Sequence, residues 1–341
     1  MFKMLKEIYE TGNVLDNLYK NEKEKLKRIS EQFEKFSPSC VIFSGRGSSD
    51  NACIYGQYLF QSKLKKVTSS ALGSLFAFYN SFPKLDKTMV VGVSQSGETD
   101  DVIEVLKKSL NENSFTIGLT NNINSTMAKL LKENAIYLNA GIEESVAATK
   151  TFISSIAVFY MFSKLINKEV IKIDELKNLL NFVISKENEI KEIAEKFLFV
   201  QDVIILGTGF NYSIALEGSL KLKETCYINA QGLSIIDFVH GPFAMLEPHI
   251  PVIIFAPNDE TIEISKKVIK RVKNVGSHIL VVSDNKEVLK EGDFSIEILP
   301  TDKELYPFEM IMFMYLFSYY LSISKKLNPD KPRFLNKISK I

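Results

Sequence analysis

Histidine is scarce in this chain, which has only three among 341 residues. None of them, at positions 240, 249 and 278, has a second histidine or a cysteine at the spacing of a metal site. We therefore expect no structural metal and no zinc chemistry.

Cysteine is equally rare, and no two of the three cysteines lie close together in the sequence. The spacing argues against a disulfide framework. Because Cys40, Cys53 and Cys226 stand among apolar or small residues, we expect reduced, buried thiols of the kind found in a cytoplasm.

The chain also lacks an excess of charge, because 42 basic side chains face 41 acidic ones and the net charge is +1. No overall field favours nucleic acid or an anionic membrane, so we expect neither as a partner. Any anion must be bound locally.

Long apolar runs are missing too. The most membrane-like stretch, residues 308–323, contains Glu309 and falls short of the roughly 20 residues that a span needs, so we expect a buried core helix. The first residues carry Glu7 and lack the apolar core of a secretory signal. Both features favour a cytoplasmic protein.

What the chain does have is 45% hydrophobic residues, and its length indicates about two domains. Residues 1–36 have apolar positions at helical spacing, and residues 146–197 are helical in character throughout. Between them, helical patterns separate strand-like runs at 41–44, 67–70, 89–93, 115–120 and 135–138. This alternation, which resumes at Val203, predicts parallel sheets in an α/β fold.

The two alternating blocks share one displacement. Gly45-Arg46-Gly47 is followed 162 positions later by Gly207-Thr208-Gly209, and Glu98-Thr99 by Glu260-Thr261. The strand-like residues 116–119 have a counterpart at the same offset. Buried strands can resemble one another by composition alone, but three matches in one register predict an internal duplication.

One loop has the composition of an anion site. Ser94-Gln95-Ser96-Gly97-Glu98-Thr99 joins a strand to a helical pattern, where backbone N–H groups and the helix dipole favour a phosphate and hydroxyls add donors. An ordinary capping turn would explain one or two of these hydroxyls. The second copy has Ala256-Pro257-Asn258-Asp259 instead, so we expect a phosphate only in the first half.

A second loop belongs beside the first, because loops that follow parallel strands gather at one sheet edge. Gly45-Arg46-Gly47-Ser48-Ser49-Asp50 supplies two hydroxyls, Ser48 and Ser49, at the start of a helix. Asp50 stands where a dinucleotide fingerprint needs its third glycine. We therefore expect no dinucleotide and no other cofactor.

Titratable residues cluster in the second half. Lys221 and Glu224 are three positions apart on a helical pattern, so they are neighbours, and a surface ion pair is the ordinary explanation. His240 precedes Gly-Pro, where it could cap a turn or exchange protons near neutral pH.

The end of the chain leaves the last helical pattern through prolines. A frayed basic tail is the usual outcome. However, Phe334, Leu335 and Ile338 are apolar anchors that could dock the tail and carry Lys337 into a site.

Together these motifs resemble the sugar isomerase (SIS) family, in particular the sugar-converting half of glucosamine-6-phosphate synthase and the stand-alone deaminases related to it. The matching segments are 6–10, 94–99, 148–150, 216–224, 240–242 and 332–337. The resemblance implies an α/β fold of two tandem doubly wound parallel-sheet SIS units, with an N-terminal helical segment and an extended C-terminal tail. It also implies a homodimer and an active site for a phosphorylated hexose.

On this basis we expect five segments along the chain. They are an N-terminal helical segment at 1–36, a phosphate-binding SIS unit at 37–165, a helical bridge at 166–199, a second SIS unit at 200–325 and a tail completing the active site at 326–341.

The resemblance also implies roles for individual residues. Glu224 would be the base that moves a proton between sugar C1 and C2, with Lys221 supporting it. His240 would open the ring, reaching in from the partner subunit, and Lys337 would approach the carbonyl carbon or stabilise its oxygen. The substrate-binding residues would be Ser48, Ser49, Ser94, Gln95, Ser96, Thr99, Val146 and Ala148.

Departures from the synthase narrow the expected activity. No cysteine nucleophile follows Met1 and no room remains for a glutaminase domain, so we expect no release of ammonia from glutamine. Residues 45–50, 145–150 and 335–340 look more like the deaminases. The sequence therefore predicts hydrolytic deamination and isomerisation of an amino-hexose 6-phosphate, with glucosamine 6-phosphate giving fructose 6-phosphate and ammonia.

Other readings of the same residues stay open. The same chemistry would serve a deglycase of a fructosamine-type 6-phosphate or a ketose/aldose phosphate isomerase, and the phosphate loop alone would serve a sugar-phosphate sensor. Asn229-Ala230-Gln231 and Asp237 stand where relatives commonly have His-Ala-Glu and Glu, which leaves the exact sugar open.

Overall fold

A computed structural model describes residues 2–79 and 81–337. The strands are β1 Cys40–Ser44, β2 Val67–Ser70, β3 Thr88–Val93, β4 Phe115–Thr120, β5 Ala135–Tyr137, β6 Asp202–Gly207, β7 Asn229–Ser234, β8 Val252–Phe255, β9 Ile279–Ser283 and β10 Phe294–Glu297. The helices are α1 Lys3–Tyr9, α2 Thr11–Phe36, α3 Ser48–Ser62, α4 Gly73–Ala77, α5 Asp100–Leu110, α6 Thr126–Leu131, α7 Lys150–Ile166, α8 Ile173–Ser185, α9 Glu187–Lys196, α10 Tyr212–Cys226, α11 Ile235–Val239, α12 Ile262–Val275, α13 Lys286–Leu289 and α14 Tyr306–Ser324.

The strands form two sheets with the same topology. One has the order β2-β1-β3-β4-β5 and the other the order β7-β6-β8-β9-β10, and every strand pair is parallel. Each sheet reverses its winding beside its first strand, which is the doubly wound arrangement. The predicted fold class, two tandem parallel-sheet units, is therefore confirmed.

The predicted displacement of 162 residues is preserved in the structure. Strand β3 ends at Val93 and β8 at Phe255, and helix α5 begins at Asp100 and α12 at Ile262. Gly45 and Gly207, which follow β1 and end β6, are also 162 apart. A Cβ atom would lie 2.7 Å from the carbonyl carbon of Ser49 at the first glycine, and 2.3 Å from the carbonyl oxygen of Asn211 at the second. Both copies thus need glycine for the same close approach of loop and helix.

Contacts divide the chain into two compact units. The β1–β5 unit comprises Glu10–Glu143, Ala148–Ile173 and the end of the chain from Leu335. The β6–β10 unit comprises the start of the chain up to Tyr9, Glu144–Ala147 and Asp174–Phe334. The segment boundaries predicted from the sequence stay a prediction.

Helices cover both faces of the sheet in the β1–β5 unit. Ile42 and Val90 face a cluster formed by α5 and α6, which includes Leu106. Phe43 faces the other way, with its ring centroid 5.3 Å from that of Phe60 and 5.6 Å from that of Phe159. Helix α7, which supplies Phe159, is buried along nearly its whole length between α2 and α3.

The β6–β10 unit repeats this layering. Ile204 and Val252, the counterparts of Ile42 and Val90, pack against Phe238 of α11 and Val268 of α12. Helices α10 and α14 pack against each other, and α14 is apolar and buried around its circumference. The stretch at 308–323 is therefore the core helix that we expected, and no helix within the described ranges is long and apolar enough to cross a membrane.

The cysteines are free, as predicted, and Cys53 and Cys226 are buried. Cys40 is only half-buried, so the prediction of a buried thiol is wrong at this position. Cys40 is the first residue of β1, and strand ends lie at the rim of a sheet.

Candidate active site

The polar loop after β3 brings three hydroxyl groups together. The Oγ atom of Ser94 lies 2.8 Å from Thr99 Oγ1 and 3.5 Å from Ser96 Oγ. Ser94 is buried, whereas Ser96 and Thr99 are half-buried just before the first turn of α5. The cluster therefore combines hydroxyl donors with a helix N-terminus, which is the environment that a phosphate group favours.

The backbone of this loop is held in place by α6 and the residues before it. Gly97 has a φ of +67°, and a Cβ atom there would lie 2.3 Å from Ser125 Oγ, so only glycine fits without displacement. The Gly97 carbonyl oxygen accepts a hydrogen bond of 3.0 Å from the Met127 N–H. The Glu98 carboxylate accepts hydrogen bonds from the N–H and hydroxyl of Thr126, at 2.8 and 2.7 Å.

Gln95 is fixed through its backbone. Its carbonyl oxygen accepts a hydrogen bond of 3.0 Å from the Asn121 N–H, and its side chain is half-buried. The residue therefore lies at the junction of the loops after β3 and β4.

The loop after β1 lies beside this cluster, because β1 and β3 are hydrogen-bonded neighbours. Ser48 and Ser49 are half-buried in the first turn of α3. Arg46 forms an ion pair with Asp101 in the first turn of α5, so the two loops are linked by charge. Burial raises the pKa of Asp50 above its ordinary value, although Arg46 opposes the shift.

The corresponding loop of the β6–β10 unit is closed by its own Asp259 and by Asp284, which follows β9. The Asp259 carboxylate accepts hydrogen bonds from the N–H and the hydroxyl of Thr261, at 2.8 and 2.6 Å. The Asn258 N–H donates to Asp284 at 2.7 Å, and Pro257 has no N–H to offer. Carboxylates thus occupy donors that a phosphate would need, as the altered sequence of this copy suggests.

A cluster of charged side chains lies on the buried face of α10 and contains the predicted pair, Lys221 and Glu224. Lys221 Nζ lies 2.6 Å from Glu224 Oε2 and 3.3 Å from Glu217 Oε1. The side chains of Lys221 and Glu217 are 0% exposed, and that of Glu224 is 18% exposed. The pair is therefore not the surface ion pair that its spacing alone favours, because the helix face that carries it is buried.

The cluster keeps Lys221 charged. Burial lowers the pKa of the ammonium, but the carboxylates of Glu217 and Glu224 outweigh burial and raise it above its ordinary value. Glu224 therefore has a partly exposed carboxylate paired with the buried Lys221 ammonium. Glu217 was missed in the sequence, although its position four residues before Lys221 is the spacing that indicates a partner.

His240 lies directly after α11 and is exposed. Its backbone N–H donates to the Asp237 carbonyl oxygen at 3.1 Å, and the turn is capped by Ser234. Among the described residues, no hydrogen bond or ion pair joins His240 to Lys221 or Glu224. The structure thus leaves its imidazole open to solvent at the surface of the β6–β10 unit.

The tail is docked where it leaves α14. Arg333 donates its backbone N–H to the Tyr227 hydroxyl at 2.8 Å, and its guanidinium lies 4.1 Å from the centre of that ring. Asp330 accepts hydrogen bonds from the N–H groups of Lys3 and Met4, at 2.9 and 2.8 Å. This part of the tail is therefore not frayed, whereas the predicted anchor at position 338 lies outside the described residues.

Lys337 is also docked, within the β1–β5 unit. Its Nζ atom lies 2.7 Å from Glu143 Oε2, and the Glu143 side chain is 0% exposed. The same carboxylate accepts hydrogen bonds from the N–H groups of Thr149 and Thr151, at 2.9 and 3.1 Å, and from the Thr151 hydroxyl at 2.9 Å. Burial alone would raise the pKa of Glu143, but Lys337 and the backbone donors outweigh it and lower the pKa.

Sequence reasoning missed Glu143. Its only signal was an acidic residue shortly before the Ala148-Thr149-Lys150 motif. The lysine of that motif is structural here, because it is buried and its Nζ atom lies 2.7 Å from Glu10 Oε2 and 2.9 Å from the Ile142 carbonyl oxygen.

Val146 and Ala148 are both half-buried. Val146 donates its N–H to the Asp330 carbonyl oxygen at 3.2 Å. The role of both residues as substrate contacts stays a prediction. Within the described parts of the chain, no group of three or more His, Cys, Asp or Glu side chains could hold a metal ion.

Solved structures share this architecture. The C-terminal domain of glucosamine-fructose-6-phosphate aminotransferase from Francisella tularensis superposes with a TM-score of 0.85 at 26% identity, covering 97% of this chain and 98% of that one. Glucosamine-6-phosphate deaminase from Thermotoga maritima superposes with a TM-score of 0.81 at 24% identity, covering 98% of each chain. The second likeness is evidence for the fold alone.

Sequence comparison gives the family. Glutamine–fructose-6-phosphate aminotransferase (isomerizing) from Pyrococcus horikoshii is 32% identical over 345 residues, which cover 98% of this chain but 57% of that protein. The chain thus spans little more than half the length of this relative. The SIS domain matches residues 37–165 and again 200–324, so each parallel sheet lies in one match. The chain therefore belongs to the SIS domain family.

Proposed function

We propose that this chain is a phosphosugar-converting enzyme that deaminates and isomerises an amino-hexose 6-phosphate by hydrolysis. In the reaction proposed, glucosamine 6-phosphate and water give fructose 6-phosphate and ammonia. The observation that carries the proposal is the partly exposed Glu224 carboxylate 2.6 Å from the buried Lys221 ammonium. A protein that only binds sugar phosphates has no need of such a group.

The phosphate is proposed to bind at the loop after β3. Ser94, Ser96 and Thr99 supply hydroxyls, the start of α5 supplies a positive dipole end, and Ser48 and Ser49 add donors from α3. The phosphate would then hold the sugar at C6 while C1 and C2 react.

The carboxylate of Glu224 is proposed to move the proton. After His240 has helped to open the ring, Glu224 takes the proton from C2, which gives an enolamine, and returns it to C1. The product is an imine at C2, which adds water and releases ammonia, leaving the C2 ketone. The Lys221 ammonium lies 2.6 Å from the Glu224 carboxylate and holds it in place for this transfer.

Lys337 is proposed to stabilise the carbonyl oxygen of the open-chain sugar. Its ammonium group is paired with Glu143, and a cation so held is suited to donating a hydrogen bond to an oxygen that gains negative charge. His240 is proposed to come from a partner subunit of a homodimer, which is in keeping with its exposure.

A second candidate is the same chemistry in the opposite direction, in which fructose 6-phosphate is aminated. It is favoured by the names of the relatives, which are aminotransferases of fructose 6-phosphate. Because the enolamine and imine are common to both directions, the residue roles above would not change.

The two directions are tested with one set of assays. The purified chain is given glucosamine 6-phosphate, and ammonia and fructose 6-phosphate are measured; separate reactions use fructose 6-phosphate with ammonium, a fructosamine-type 6-phosphate, and a simple aldose phosphate. We expect stoichiometric ammonia and fructose 6-phosphate from the first reaction. Turnover of only one of the other substrates would replace the proposed activity with the corresponding one, and binding without any product would indicate a sensor.

The role of Glu224 is tested by Glu224→Gln. We expect kcat to fall by about 10² to 10⁴, the usual value of a positioned acid–base group, while the sugar phosphate still binds. Glu263→Gln is the matched control, because Glu263 also pairs with a lysine three residues away, at 3.0 Å, but is 71% exposed. Normal turnover by Glu224→Gln would remove this residue from the mechanism.

A further inference from the structure

Near the end of the chain, Lys337 contacts a buried carboxylate of the β1–β5 unit, that of Glu143. Glu143 lies in the segment between β5 and α7, and its side chain is 0% exposed. A buried carboxylate is costly unless several donors compensate it. The identity of these donors indicates what Glu143 does.

Glu143 uses its two oxygen atoms for two tasks. Oε1 accepts the N–H groups of Thr149 and Thr151, at 2.9 and 3.1 Å, which fixes the beginning of α7. Oε2 accepts the Thr151 hydroxyl at 2.9 Å and lies 2.7 Å from Lys337 Nζ. Both oxygens therefore hold the start of α7, and Oε2 also joins it to the tail.

Within the described part of the tail, this contact holds the Lys337 ammonium. Its apolar neighbours offer little hold, because Phe334 is 96% and Leu335 is 42% exposed. The expected apolar docking of these two side chains is thus not what the structure has. A buried, hydrogen-bonded ion pair is the stronger kind of contact.

From this geometry we infer that Glu143 is a positioning residue that latches the C-terminal tail and sets the place of the Lys337 ammonium. The inference rests on the proposed function for the part that Lys337 plays in turnover. The latch itself depends only on the contacts of Glu143. If it is correct, removing the charge of Glu143 weakens the hold on the Lys337 ammonium while leaving the lysine in the chain.

The latch is tested by the chemical reactivity of Lys337. Wild type, Glu143→Gln and Glu143→Asp are treated briefly with acetic anhydride, and acetylation of Lys337 is measured by mass spectrometry against other lysines of the same chain. We expect several-fold faster acetylation of Lys337 in Glu143→Gln and an intermediate rate in Glu143→Asp, which keeps the charge on a shorter side chain. Glu144→Gln is the control, because Glu144 is adjacent but half-exposed and paired with Lys3. An unchanged rate for Lys337 in Glu143→Gln would overturn the latch.

A second variant keeps the test valid if Glu143→Gln does not fold. Lys337→Met leaves the contacts of Glu143 with Thr149 and Thr151 in place and removes only the tail partner. We expect trypsin to cut more rapidly after Arg333 in this variant than in wild type. Equal rates of cutting would contradict the latch.

The effect on turnover is read from a double-mutant cycle. We expect Glu143→Gln to lower kcat by about tenfold or more, since small displacements of a reacting group are costly, and to have little further effect when Lys337 is already Met. Additive losses would mean that Glu143 acts apart from Lys337, which contradicts the inference. Acetylation of Lys337 does not require turnover. If wild type is inactive but Glu143→Gln still speeds acetylation of Lys337, the proposed function is rejected and the latch stands.

Discussion

At the scale of single residues, burial rather than spacing distinguishes the ion pair that we assign to function. Lys221 and Lys266 each have a glutamate three positions away, at 2.6 and 3.0 Å. The side chain of Lys221 is 0% exposed, whereas that of Lys266 is 32% exposed and faces a glutamate that is 71% exposed. An exposed pair contributes little, but a buried cation depends on the carboxylates that pair with it. The sequence contains both pairs and cannot tell them apart.

The hydroxyl cluster gives a prediction at this scale. Thr99→Val removes the hydroxyl that lies 2.8 Å from Ser94 Oγ and keeps the shape of the side chain. A hydrogen bond to a charged group contributes about 1.5–3 kcal/mol, so we expect the Kd for glucosamine 6-phosphate, measured by calorimetry, to rise by about 10- to 100-fold. Thr261→Val, at the equivalent position of the other copy, is the control and should leave the Kd unchanged. Equal effects of the two substitutions would contradict a single phosphate loop.

At the scale of elements, helix α14 carries another buried carboxylate, for which we assign no function. Glu309 lies in its first turn, is 0% exposed, and accepts a hydrogen bond of 2.8 Å from the Leu299 N–H. Burial raises its pKa from 4.5 to about 8, with a further contribution from Asp284 and an opposing one from the Leu299 N–H. Because the folded chain keeps this proton while the unfolded chain loses it, stability should fall as the pH rises from 4.5 to about 8.

Glu309→Gln is therefore expected to stabilise the protein at high pH. The glutamine stays neutral, so the melting temperature should exceed that of wild type at pH 8 and approach it at pH 5. The pKa shift sets an upper limit of about 5 kcal/mol on the difference. Glu287→Gln serves as the control, since Glu287 is 84% exposed. Thermal unfolding with the same pH slope in Glu309→Gln and wild type would refute this assignment.

The elements themselves were largely predictable, and the site only in part. The sequence predicts strands at 89–93 and 115–120 correctly because parallel strands buried on both faces are short, apolar and bounded by turns. The hydroxyl loop could be found because its chemistry is local. Glu143 could not be found in this way, because its partner Lys337 lies 194 positions away and becomes its neighbour only in the folded chain.

At the scale of the whole molecule, one α/β unit has been used twice and has diverged at the edge of its sheet. The cores keep the same register, with Ile42 and Val90 equivalent to Ile204 and Val252. Only the first copy keeps open hydroxyls after its third strand, whereas the second closes this loop with Asp259. On the proposed function, duplication leaves one copy to hold the phosphate and the other to supply the proposed acid–base residues Glu224 and His240.

The proposal that His240 acts in the active site of the partner subunit can be tested by mixing two inactive variants. If each site combines Glu224 of one subunit with His240 of the other, a mixed dimer of Glu224→Gln and His240→Ala has one intact site. Random mixing then restores about a quarter of the wild-type activity, because half of the dimers are mixed and half of their sites are intact. No recovery after verified subunit exchange would mean that both residues serve the same subunit or that the chain is not a dimer.

The attachment of the hydroxyl loop to its neighbours bears on how such a site can be moved between proteins. Ser125 packs so close to Gly97 that no side chain fits at position 97, and Glu98 accepts two hydrogen bonds from Thr126. A designer who grafts residues 94–99 alone onto another parallel sheet would transfer the hydroxyls without the supports that aim them. The transferable module is instead the loop together with residues 120–127, two segments that are distant in sequence and must be transplanted as one piece.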